Sequence, residues 1–124
     1  MALTAVVTLN SAGPVPIATE LTALVTVSNS GTDEVFLTNA IPTAYSTAET
    51  LPRSSYRQDL GTITIPANSP VPAGGSLDLT FPVVFQSGTG LTTNSVGCQV
   101  YGADGSVTEA TPATIEVTGN NQYA

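Results

Sequence analysis

ELTALVTVSNSGTDEVFLTNAI, residues Glu20 to Ile41, is the stretch whose reading decides the fold of this chain. Leu21, Ala23, Val25 and Val27 fall on one side of an extended backbone. Thr22, Thr26 and Ser28 fall on the other, with Leu24 the one apolar exception. A period of two, with one apolar and one hydroxyl-bearing face, is the pattern of a half-buried strand. Asn29-Ser30-Gly31-Thr32-Asp33 then collects residues that tolerate the turn angles β-branched side chains refuse. Beyond it Val35, Leu37 and Ile41 resume the alternation against Phe36 and Thr38. The stretch predicts a strand, a tight reversal and a second strand, either paired as a hairpin or crossing between two sheets.

Working outward, Leu3 to Leu9 reads as a first strand with Leu3, Ala5, Val7 and Leu9 on one face. Ser11 to Thr19 holds two prolines and reads as a connection or irregular edge, because proline cannot donate to a ladder. Pro42 to Asp59 shows no period and is the longest irregular segment, a length at which loops are usually functional. Leu60 to Ile65 gives a short strand with Ile63 and Ile65 on one side, and Pro66 to Ser76 a Pro/Gly loop. From Leu77 to Gln86 the alternation is clearest, with Leu77, Leu79, Phe81, Val83 and Phe85 facing one way. Pro82 within it predicts an edge position or a bulge. Ser87 to Ser95 reads as a Gly/Thr/Asn loop. Val96–Tyr101 and Val107–Val117 flank Asp104-Gly105, a hairpin signal, and Pro112 splits the last strand.

With no helical period and no internal repeat, about seven short strands predict an all-β chain, an antiparallel β-sandwich in one domain spanning residues 1–124. A jelly roll or small barrel is the alternative, since strand order is not readable from one sequence.

Composition narrows the function. Charged residues are 9% of the chain and the net charge is -7, with two Arg, no Lys and no His. Nucleic-acid binding rests on cations neutralising phosphates, and adhesion to an anionic bilayer needs the same charge, so neither partner is expected. No apolar run reaches the roughly 20 residues of a membrane-spanning helix. The N-terminus has no basic n-region and alternates like a strand, so no secretory signal is expected and the chain reads as an intact intracellular product. Cys98 is single, which excludes an internal disulfide, and its place between Val96 and Val100 predicts a buried, inert thiol rather than a redox or intersubunit one.

Catalysis by Ser-His-Asp or Cys-His sets has no histidine to move the proton, and a Schiff base has no lysine. Zinc has too few N and S ligands here. The sets Asn29, Asp33, Glu34 and Asp104, Ser106, Glu109 offer oxygen, yet neither has the spacing of a calcium loop, and turn chemistry explains both. Neither enzymatic activity nor a cofactor is therefore expected. The contact candidates are Arg53 and Arg57, the only cations, with Tyr45 and Tyr56 in the same segment. Arg and Tyr most often anchor protein–protein contacts. The competing reading pairs these arginines with Glu49, Asp59 or other carboxylates of the acidic chain.

Val25–Gly31 (VTVSNSG) and Ile65–Phe81 (IPANSPVPAGGSLDLTF) together resemble the bacterial and archaeal immunoglobulin-like domains of the adhesion-module type. Those domains have an N-x-G turn after the second strand and a Gly-Gly loop feeding a later one. The resemblance covers roughly Glu20 to Gln86, its motifs are structural, and it implies that the antiparallel β-sandwich is immunoglobulin-like. The disulfide pattern and Trp of antibody domains are absent. In general character the chain also looks like the decoration (cement) proteins that tailed bacteriophages place on their capsids. That likeness implies a virion location, the major capsid protein as partner and possible homo-oligomers, trimers above all. The alternative it leaves is a carbohydrate- or host-surface-binding module of a secreted or cell-surface protein.

Overall fold

The computed structural model describes residues 3–16, 18–46, 57–59, 61–66, 69–85 and 90–119, with the backbone alone described at 45, 46, 57–59, 90–93 and 119. Two sheets stack over one apolar layer. The smaller has the order β1 (Leu3–Leu9), β3 (Glu20–Asn29), β8 (Ser76–Val84). The larger runs β2 (Val15–Pro16), β11 (Ala113–Gly119), β9 (Gly90–Gly102), β4 (Val35–Ser46), β5 (Arg57–Asp59). Two-residue strands β6 (Ile63–Thr64) and β7 (Pro70–Val71) pair with β4, and β10 (Val107–Glu109) pairs with β9. This is an all-β sandwich whose strand order follows the A-B-E and C-F-G sheets of the immunoglobulin arrangement.

The stretch read first lies at the centre of it. Leu21, Ala23, Val25 and Val27 are buried, at most 3% exposed, while Thr22 is exposed. Of the two predicted outcomes for the reversal, the crossing is the one adopted: β3 belongs to the small sheet and β4 to the large one. Facing them, Val96, Cys98 and Val100 of β9 and Ile115 and Val117 of β11 close the core. Each fully buried Val, Leu or Ile among them is worth roughly 1.5–3 kcal/mol over its exposed state.

Asn29 ends β3 and ties it to both neighbouring segments. Its Nδ2 donates to the carbonyls of Asp33 (2.8 Å) and Val71 (3.0 Å), and its Oδ1 accepts from the Gly31 N–H (2.9 Å). Its backbone N–H donates to the Gly75 carbonyl (2.9 Å) and its carbonyl accepts from the Gly74 N–H (2.8 Å). The N-x-G turn and the Gly-Gly loop, apart in sequence, thus meet on one buried residue. Gly74 sits at φ 71, which the loop requires and a side chain would strain.

Three expectations need correction. Plain alternation places Ile41 inward with Leu37, but the register slips between Leu37 and Asn39, a β-bulge at Thr38. The extra residue reverses the parity, so Ala40, Pro42 and Ala44 go in and Ile41 turns outward, 37% exposed. The segment from Pro42 to Asp59 is not irregular throughout: β4 continues to Ser46, and Arg57–Asp59 returns beside it as β5. Pro42 is accommodated in a gap on that flank of β4, since β6 pairs as far as Ala40 and β5 only from Thr43. Finally, Gly90–Ser95 is strand, not loop. The ladder to β11 runs along all of it, β4 joins from the other side at Asn94 and Ser95, and those two are buried despite their polarity.

Other expectations are met. Asp104-Gly105 turns β9 into β10, with Gly105 at φ 91. Pro112 marks the break between β10 and β11. There the strand leaves β9, and Thr111 forms an isolated parallel bridge with Val6 of β1. The Val7 N–H donates to the Thr111 carbonyl and the Thr111 N–H to the Ala5 carbonyl, each at 2.9 Å. This seam joins the two sheets along one side and curls the sandwich.

Candidate functional site

The outer face of the large sheet is the surface on which exposed apolar and amide side chains gather. Register sets its rows. Asn39, Tyr101 and Val107 lie side by side across β4, β9 and β10, and Ile41, Gln99 and Glu109 form the next row. Ile41 is 37% and Val107 47% exposed, and Phe36, also outward, lies just before the bulge. The Tyr101 hydroxyl donates to Gln99 Oε1 (2.9 Å), and Gln99 Nε2 donates to Glu109 Oε1 (3.4 Å). These bonds hold Tyr101 and Gln99 in place between the two apolar side chains, leaving a fixed surface with Glu109 as the one charge in the two rows.

The residues singled out from sequence sit beside this face in part. Tyr45, near the end of β4, lies directly opposite Arg57 on β5 in the antiparallel register, so the fold brings those two positions together. Arg53 and Tyr56 lie outside the described residues. Ile41 and Val107 carried no such signal. Phe36 was legible from the alternation, whereas Ile41 was hidden by a bulge that no single-sequence signal marks.

In each of the two oxygen-rich sets the leading residue serves its turn. Asn29 is spent on backbone groups as above, and Asp104 Oδ1 accepts the Ser106 N–H (3.0 Å). The Ser106 hydroxyl and N–H hold the Asp104 carboxyl below the usual carboxylate range. Among the described residues, no three His, Cys, Asp or Glu side chains come together as metal ligands.

Cys98 is buried, as expected, at 3% exposure. Burial pushes its thiol from 9.0 up to about 11, against a smaller opposing hydrogen bond with the Ile41 backbone. A raised folded-state value means that the unfolded chain ionises first. Stability from this group is therefore complete below pH 9 and lost as pH rises toward 11. The wild type should lose on the order of 2–3 kcal/mol over that window relative to Cys98→Ala. Denaturant melts of both proteins at pH 8 and pH 11 check this; parallel curves would refute it.

No family model matches the chain, and no curated protein matches it. Solved structures do share its fold. The sporulation control protein Spo0M from Bacillus subtilis superposes with a TM-score of 0.61 at 12% identity over 97% of this chain, which spans about half (51%) of that protein. A superoxide reductase (neelaredoxin) from Ignicoccus hospitalis gives a TM-score of 0.60 at 14% identity, covering 94% of this chain and 82% of that one. A β-glucosidase from Listeria innocua gives 0.50 at 14% identity, with this chain spanning 17% of it. At such identities the likeness is one of fold alone.

Proposed function

We propose that this domain is a non-enzymatic structural module that attaches to a protein assembly. In its specific form the assembly is a bacteriophage capsid, whose major capsid protein it would bind on the outer surface and stabilise. The observation that carries this reading is the outer face of β4, β9 and β10. There Ile41, Tyr101 and Val107 stand among amides, with a single carboxylate in the two rows. Interface cores are depleted in charge and enriched in aromatic residues, and this face has that composition. The resemblance of the two turn motifs to adhesion-module domains supports binding over chemistry, and the capsid reading draws on the general likeness to decoration proteins.

The test is a cross-linking and mass-spectrometric inventory of the particle with which the protein co-purifies. A shell protein present in many copies, linked to β4, β9 or β10, is the expected result. Isolated protein that ignores capsids and binds a glycan array would overturn it in favour of a cell-surface module. In the same assay, Arg53→Ala with Arg57→Ala should weaken binding about tenfold or more while leaving the folded spectrum intact. Unchanged binding would remove the arginines from the contact.

A further inference from the structure

Among the described residues strand β8 is an open edge of the small sheet, and the direction of its backbone groups follows from its neighbours. Thr22 of β3 gives its N–H to Asn10 Oδ1 (3.0 Å) and accepts the Asn10 N–H on its carbonyl (3.1 Å). Its polar backbone groups therefore point to the β1 side. Because strand residues alternate in this respect, Leu21, Ala23, Val25 and Val27 point to β8. The Asn29 N–H bond to Gly75 at the far end obeys the same phase. Their register partners Val83, Phe81, Leu79 and Leu77 point back at β3. That leaves Asp78, Thr80, Pro82 and Val84 aimed at the free edge, where nothing among the described residues pairs with them.

The geometry points to Pro82 as a guard that stops β8 from pairing with β8 of a second copy of this chain. An open edge with few charges is a template for strand addition, and natural proteins blunt such edges with proline or charge. Of the four edge positions, Asp78 alone is charged and Pro82 alone lacks an N–H, so these two carry the whole protection. Antiparallel pairing of two β8 strands about a two-fold axis at Thr80 would set Pro82 of each copy opposite Asp78 of the other. Each pairing site would then lack a donor and meet the proline ring. The opposite edge is interrupted at its middle, where Thr111 bridges to β1 through Ala5 and Val7. This inference concerns self-association through an edge and does not rest on the proposed binding face.

The experiment compares the full chain with Pro82→Thr by sedimentation over a concentration series and by backbone amide exchange. Pro82→Thr returns a donor on an exposed strand position and leaves the core untouched. Two regained hydrogen bonds per dimer should tighten self-association about tenfold or more. The amides of Asp78, Thr80 and Val84 should exchange freely in the wild type and become protected in the variant. Adding Thr80→Pro to the variant, which removes another outward N–H, should restore wild-type sedimentation. A Pro82→Thr protein that sediments and exchanges like the wild type would overturn the inference. So would a wild type whose edge amides are already protected.

Discussion

Asn29→Ala is expected to destabilise the domain by about 2–4 kcal/mol, a large effect for a turn residue. Sequence alone ranks Asn29 as an ordinary turn residue, whose loss would cost little. The structure makes it the side chain that bonds the N-x-G turn and the strand preceding the Gly-Gly loop at once. Alanine would leave the carbonyls of Val71 and Asp33 and the N–H of Gly31 without these bonds, and Asn29 itself is 2% exposed. Water has little access to replace what is lost. Asn29→Asp should be at least as damaging, because a carboxylate cannot donate to two carbonyls and would be buried as a charge. Thermal unfolding should fall by on the order of 10 °C for alanine. A shift under about 2 °C would show that the strap is not needed to hold the two segments.

Ile41→Asp combined with Val107→Asp is expected to abolish partner binding, by about 100-fold or more, with little change in the unfolding midpoint. Both side chains are more than a third exposed, so the fold does not depend on their burial. Each would place an unpaired carboxylate in a contact that is otherwise nearly free of charge. A split between large binding loss and small stability loss distinguishes a contact face from a packing defect. If binding survives the double substitution, the outer face of β4, β9 and β10 is not the attachment surface. The Tyr45–Arg57 end of β4 and β5 would then be the surface to examine.

The alternating strands were legible because their side chains carry the partition between core and water directly. β1, β3 and β8 were readable in this way, down to the residues that face inward. What stayed hidden had a backbone cause. The bulge at Thr38 adds one residue, and from there along β4 every inference from alternation is inverted, which conceals Ile41. Gly90–Ser95 carries hydroxyls and an amide where a loop would carry them, yet pairing with β11 along its length, and with β4 at Asn94 and Ser95, overrides the composition. The pairing of Tyr45 with Arg57 depends on a return strand of three residues, too short to announce itself by period. The candidate face was therefore only half readable: Phe36 and the tyrosine–arginine pairing partners by type, the exposed Ile41 and Val107 not at all.

The bridge between Val6 and Thr111 has a consequence for how the chain is made. The bridge stitches β1 to a residue that is synthesised about a hundred residues after it. At about 5–20 residues per second this amounts to roughly 5–20 s of synthesis. Once β3 has followed, β1 has that neighbour on one flank and lacks the Thr111 bridge on the other until the interval ends. The nascent domain thus spends most of its birth with an unsealed margin, and only the arrival of Thr111 zips it shut.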